Sequence, residues 1–131
     1  MSGSPSSMRT PLGRVRNLGA SHSGTTDFWR QRLTAMAMTL LIVPVLFVIL
    51  TLVGRNHAGA AQILGSLPIA IILLLFIVAS TWHMKIGMQV VIEDYVHSEK
   101  LKLASIMANN FFCAAVALAS IYALLKLSSG V

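Results

Sequence analysis

With 131 residues and a mass of 14.1 kDa, the chain has the length of one small domain. Hydrophobic residues make up 56% and charged residues 11%, less than half of the roughly 25% charge that coats an ordinary globular domain. Four acids (Asp27, Glu93, Asp94, Glu99) stand against ten Lys/Arg, for a net charge of +6. That balance excludes an acidic disordered chain, and the bases lack the polar folded face of a nucleic-acid reader. A single cysteine, Cys113, excludes a disulfide framework and a Cys-based metal site. What remains is an all-α integral membrane protein.

In chain order, residues 1–27 come first as a Ser-, Gly- and Arg-rich tail with Asp27 as its only acid. No apolar region lies between the charges and a cleavage site, so this is not a secretory signal. It reads as a basic tail that touches lipid headgroups or a partner protein, with an Arg-rich transit peptide as the alternative. Residues 28–131 form the membrane anchor. Leu33–Val53 is a run of 21 uncharged residues, Ala58–Met84 one of 27 in which only His83 can titrate, and Leu103–Leu125 one of 23. A hydrocarbon core of about 30 Å needs about 20 helical residues, and backbone groups in lipid must be satisfied internally. Helices are therefore expected near 31–53, 66–95 and 101–126. Pro44 is where the first would kink; Pro68 falls near the start of the second, where its missing N–H costs little.

Charge sets the expected orientation. Arg9, Arg14, Arg16, Arg30, Arg32, Lys100 and Lys102 fall on one side, and only Arg55 and Lys126 on the other. The positive-inside rule puts the N-terminus on the cytoplasmic (or matrix) side and the C-terminus opposite. All four acids share the N-terminal side.

Polar residues inside a span are costly and therefore candidates for function. His83, Gly87, Val90 and Asp94 follow at i, i+4, i+7 and i+11, a single stripe of a helix. His83 reads either as a histidine hydrogen-bonded to a neighbouring helix or as an axial haem ligand. A second histidine at its depth is absent, since His22, His57 and His97 all lie outside the spans. A six-coordinate haem would thus be shared with another chain. Gly87 leaves a flat patch for a large planar group or another helix. Tyr95 and Asp94 lie where the second helix leaves the membrane, either as an interfacial aromatic and a solvated acid or as a quinone site. In the second reading the phenol donates to a quinone carbonyl and the carboxylate relays protons. Tyr95 is twelve residues beyond His83, about 18 Å along the axis and rotated by roughly 120°. Arg30 and Arg32 open the first helix, either as headgroup anchors or, for one of them, as partner to a haem propionate. Lys85 either snorkels toward the cytoplasm or pairs with a propionate. In the third helix, Ala115, Ala119 and Ala123 read as a packing stripe, Ser105 and Asn109 as interhelical hydrogen-bonders, and Cys113 as an inert packed residue.

Two segments carry a resemblance. Phe28-Trp29-Arg30-Gln31-Arg32-Leu33-Thr34-Ala35 opens the first helix, and His83-x-x-x-Gly87-x-x-x-Val91-Ile92-Glu93-Asp94-Tyr95-Val96-His97 closes the second. Both resemble the small hydrophobic membrane anchor subunit of succinate dehydrogenase, respiratory complex II, over residues 9–127. The resemblance implies that His83 is an axial ligand of haem b, with the other ligand from the cytochrome b anchor subunit. It implies Tyr95 as hydrogen-bond donor to ubiquinone, Asp94 in the proton path and Arg32 near the haem propionates. It further implies docking of iron–sulfur and flavoprotein subunits on the cytoplasmic or matrix side, no catalysis by this chain alone, and a place in the tricarboxylic acid cycle and aerobic electron transport. A bacterial inner membrane is expected in preference to the mitochondrial one. The alternatives are the anchor of a quinol:fumarate reductase and a cofactor-free structural membrane subunit.

Overall fold

The computed structural model describes residues 10, 12 and 24–129. Among the described residues four helices follow one another: α1 (Gly24–Leu52), α2 (His57–Leu64), α3 (Leu67–Tyr95) and α4 (Glu99–Ser129). Among the described residues there is no strand, and α1, α3 and α4 are long and apolar enough to cross a membrane. The protein is an all-α membrane protein with three candidate spans. Most of the tail expected over 1–27 lies outside the described residues.

α1 begins well before the expected start near 31. Asp27 sits in its first turn, where the helix dipole favours a carboxylate, 3.8 Å from Arg30 one turn on. Arg32 lies 4.5 Å over the Phe28 ring from the i+4 position. These local pairs carry the helix out of the apolar run into a polar stretch that hydropathy alone leaves to the tail. α3 starts at Leu67 with Pro68 in its first turn, where the ring is tolerated.

The short α2 occupies what hydropathy leaves as a loop. Gly54, at φ +75°, turns the chain after α1 through the left-handed region. Asn56 then caps α2, its side-chain oxygen accepting from the Gly59 amide at 2.9 Å. α2 packs against α4. At its end, a Cβ on Gly65 would stand 2.7 Å from the Leu127 carbonyl oxygen, so the turn into α3 needs a residue with no side chain.

α3 packs against α1 on one side and α4 on the other, whereas α1 and α4 do not approach each other. The three spans form a row with α3 in the middle, and the two broad faces of that row stay open. Three hydrogen bonds join the row among the described residues. Asn109 of α4 donates its amide to the Lys85 carbonyl of α3 at 2.9 Å, and Thr34 of α1 meets His83 of α3 at 3.1 Å. At the end of the row, Lys102 Nζ donates to the Glu93 carbonyl at 3.0 Å, satisfying an orphan acceptor of the last turn of α3.

Few side chains are enclosed. Val45 and Val48 of α1, Ala70, Ile86 and Ile92 of α3, and Cys113 and Leu124 of α4 are buried, with Asn109 the buried polar residue among those described. Within the apolar windows, 11%, 6% and 11% of α1, α3 and α4 is buried in the chain. The remainder is apolar surface for lipid or other subunits. Asn109 makes the interhelical bond expected of it, and Cys113 is buried with its thiol 3.4 Å from Asn109 Oδ1. The Ala115, Ala119 and Ala123 stripe does not pack within the chain: all three are exposed. Their spacing marks one face of a helix, but α4 turns its Asn109–Cys113–Leu124 face inward instead, because that face carries the polar anchor to α3.

Candidate functional site

His83 projects from the middle helix toward α1. Thr34 Oγ1 lies 3.1 Å from His83 Nδ1 and also 2.9 Å from the Arg30 carbonyl and 3.0 Å from the Gln31 carbonyl. A hydroxyl has one proton and two lone pairs. The two carbonyls can only accept; with the hydroxyl proton directed to one of them, a lone pair faces the imidazole. The arrangement that satisfies all three contacts has His83 Nδ1–H donating to Thr34. Nε2 is then the bare nitrogen, the form of the ring that can bind a metal. The hydrogen bond to a neighbouring helix and the ligand reading are thus compatible, because they use different ring nitrogens.

One turn along, Gly87 is covered by α1. A Cβ there would meet Gln31 Nε2 at 3.3 Å, tighter than most contacts, so its flat patch serves helix approach. The carbonyl oxygen of the same Gln31 side chain is buried with no hydrogen-bond partner. Thr34 also borders an apolar groove of about 480 Å³, lined with Leu33, Ala37, Leu75 and Trp82 among others; His83 is not in its lining.

Toward the charged end, a second groove of about 360 Å³ separates α1 from α3. Asp27, Phe28, Gln31 and Arg32 line one wall, and Ile86, Gln89, Val90 and Glu93 the other. Gln89 donates to Glu93 at 2.8 Å. Arg32 therefore stands beside the α1–α3 seam, on the side of His83 nearer the charged end.

Tyr95 ends α3, 78% exposed, with Asp94 exposed beside it. Neither borders the Arg32 groove. Asp94 makes no ion pair among the described residues. The chain therefore holds two separate positions: an imidazole at span depth between α1 and α3, and a phenol–carboxylate pair at the helix end. Both are open to whatever covers this end of the row.

Lys85 lies on the opposite side of α3 from His83, since two residues rotate a helix by about 200°. It lines a groove of about 330 Å³ between α3 and α4 with Val78, Thr81, Trp82, Asn110, Cys113, Ala114 and Ala117. A group bound on the Thr34 side of His83 is on the wrong side of the helix for Lys85.

Neither Thr34 nor Asn110 stands out as functional from sequence alone. Thr34 lies within the Phe28–Ala35 segment that opens α1, and a hydroxyl in an apolar helix is its only signal. Its target depended on the register of α1 against α3, which only packing supplies.

Residues 6–117 match a family described as the succinate dehydrogenase/fumarate reductase transmembrane subunit. The chain is similar to the succinate dehydrogenase hydrophobic membrane anchor subunit of Paracoccus denitrificans, 29% identical over 92% of this chain and 93% of the relative. It is 35% identical to the protein of the same description from Rickettsia bellii (strain RML369-C), over 79% of this chain and 83% of that one. A succinate dehydrogenase membrane anchor subunit of Reclinomonas americana is 31% identical over 64% of this chain and 72% of its own. No solved structure matches.

Proposed function

Because the chain belongs to the transmembrane subunits of the succinate dehydrogenase/fumarate reductase family, and is a non-catalytic membrane anchor of succinate dehydrogenase, we propose that it contributes one axial ligand to a haem b and a hydrogen-bond donor to ubiquinone. The observation that carries the proposal is the Thr34–His83 contact of 3.1 Å, which occupies Nδ1 and leaves Nε2 for iron. A second-shell partner of this kind fixes the tautomer and the ring orientation of a ligating histidine.

Bound there, a b-type haem would supply a one-electron redox centre close to the quinone site. His83 would hold the iron from this chain, with the cytochrome b anchor subunit as the partner sharing the haem. Arg32, on the charged-end side of His83, offers its guanidinium to a propionate, a charge-assisted pairing suited to its forked geometry. Tyr95 donates its phenol proton to a quinone carbonyl at the membrane boundary. Asp94 hands on protons from water to the reduced quinone, which takes up two. The exposure of both residues supports a site completed by other subunits. The iron–sulfur and flavoprotein subunits dock at this end, and succinate is oxidised in the flavoprotein. By the charge bias, this end faces the cytoplasm of a bacterium or the matrix of a mitochondrion.

The test uses the assembled complex. His83→Ala should lose or shift the reduced-minus-oxidised b-type spectrum; an unchanged spectrum removes His83 as ligand. Tyr95→Phe should lower quinone reduction by about tenfold or more, the value of one positioned hydrogen bond. Succinate oxidation with an artificial acceptor should persist in that variant. Equal loss of both activities would argue against the quinone role.

A further inference from the structure

The groove between α3 and α4 serves neither the haem nor the quinone position, yet it carries Lys85, the only lysine or arginine of α3. Lys85 lies ten residues inside Tyr95, about 15 Å along the helix. Its side chain has no ion pair among the described residues, although its backbone carbonyl is held by Asn109. Across the groove, Asn110 Oδ1 is buried without a hydrogen-bond partner. Below these two polar groups the lining narrows to Cys113, Ala114 and Ala117 on α4, facing Val78 on α3. Small residues there let another backbone come close.

We propose that this groove seats a transmembrane helix of a different subunit, one that carries a carboxylate at the depth of Lys85. Ionisable groups in a span are paired or they line water. An ammonium has three donors, so one Lys85 Nζ can bridge the incoming carboxylate and the orphaned Asn110 oxygen. A second copy of this chain cannot supply the acid. Its four carboxylates all lie at the charged end, and Glu93, the nearest along α3, is eight residues away, about 12 Å by helical rise. Copies inserted in one orientation keep that mismatch of depth. A phospholipid headgroup can meet a snorkelling lysine, but hydrocarbon tails give Asn110 no donor. The inference rests on the chain being a subunit of a membrane complex. It is independent of the haem and quinone roles, which lie on other sides of α3.

The experiment uses the complete complex in native membranes, with p-benzoylphenylalanine in place of Ala114 on the groove wall. After irradiation, the crosslinked peptide is sequenced. The expected product joins this chain to a transmembrane segment of another membrane subunit with Asp or Glu within one turn of the attachment site. Lys85→Met makes the span more apolar and does not hinder insertion. It should strand the opposing carboxylate and cut co-retention of that subunit in detergent by about tenfold or more, whereas Lys85→Arg should retain it. Replacing the identified acid by its amide should reproduce the loss. A crosslink to lipid alone, to a second copy of this chain or to a segment without an acid would overturn the proposal. So would full retention in Lys85→Met. The b-type spectrum and the quinone activity report separately on the haem and quinone reading.

Discussion

The imidazole of His83 is controlled by a single neighbouring hydroxyl. With its proton directed to the Arg30 or Gln31 carbonyl of α1, Thr34 acts toward the ring as an acceptor. Thr34→Val keeps the shape of the side chain and removes that acceptor. With His83 as ligand, this variant should lower haem retention by about 10- to 100-fold, the usual effect of losing an outer-shell partner. Thr34→Ser should restore it. Haem content per complex and the reduced-minus-oxidised spectrum are the readouts, and wild-type values for both in Thr34→Val would detach Thr34 from the site. Gln31 presents the opposite situation: its oxygen is buried with no partner next to Gly87. Both residues stand in the segment that opens α1, and their chemistry follows from which part of α3 they meet.

Among the elements, α2 shows how a local signal and a packing constraint combine. Asn56 starts the helix by capping Gly59, and Gly65 ends it where the backbone passes the last turns of α4. Gly65→Ala places a methyl 2.7 Å from the Leu127 carbonyl oxygen, against backbone that cannot step aside as a flexible side chain would. Overpacking of this kind costs about 1–3 kcal/mol. The complex should therefore unfold at a lower temperature in detergent. A wild-type midpoint would mean that α2 is not held against α4. α1 and α4 extend past their apolar runs for related reasons. The Asp27–Arg30 and Phe28–Arg32 pairs support the start of α1, and Lys102 ties the first turn of α4 to the end of α3. Hydropathy windows do not see such pairs, because polar residues that cap or pair count against a span.

For the molecule as a whole, the row arrangement matters most. α1 and α4 do not meet, so only α3 is flanked on two sides, and most of the large apolar side chains look outward. A chain of this shape leaves most of its apolar surface for lipid or other subunits. The charge bias gives a testable orientation. A cysteine at Ser98, between α3 and α4, should react with a membrane-impermeant maleimide only after the cytoplasmic side is opened. One at Gly54, between α1 and α2, should react from the outside in intact cells. Cys113 is buried and does not compete. The reverse labelling pattern would invert the topology and place the Asp94–Tyr95 end on the outer side.

The sequence alone carries the membrane class, the three spans and the family, because run length, scarce charge and motif spacing are properties of consecutive residues. It also placed His83 within a span and Asp94 and Tyr95 at a helix end, since helical rise and rotation follow from counting. Packing supplies the rest: that Thr34 meets His83, that Gln31 covers Gly87, that Asn109 rather than the alanine stripe faces α3, and that the Lys85 side of α3 shares a groove with Asn110. Each of these depends on the register and rotation of one helix against another. In an all-apolar span every face is nearly as hydrophobic as the next, so hydrophobic patterning cannot select the inward one. A few hydrogen bonds and close backbone approaches make that choice.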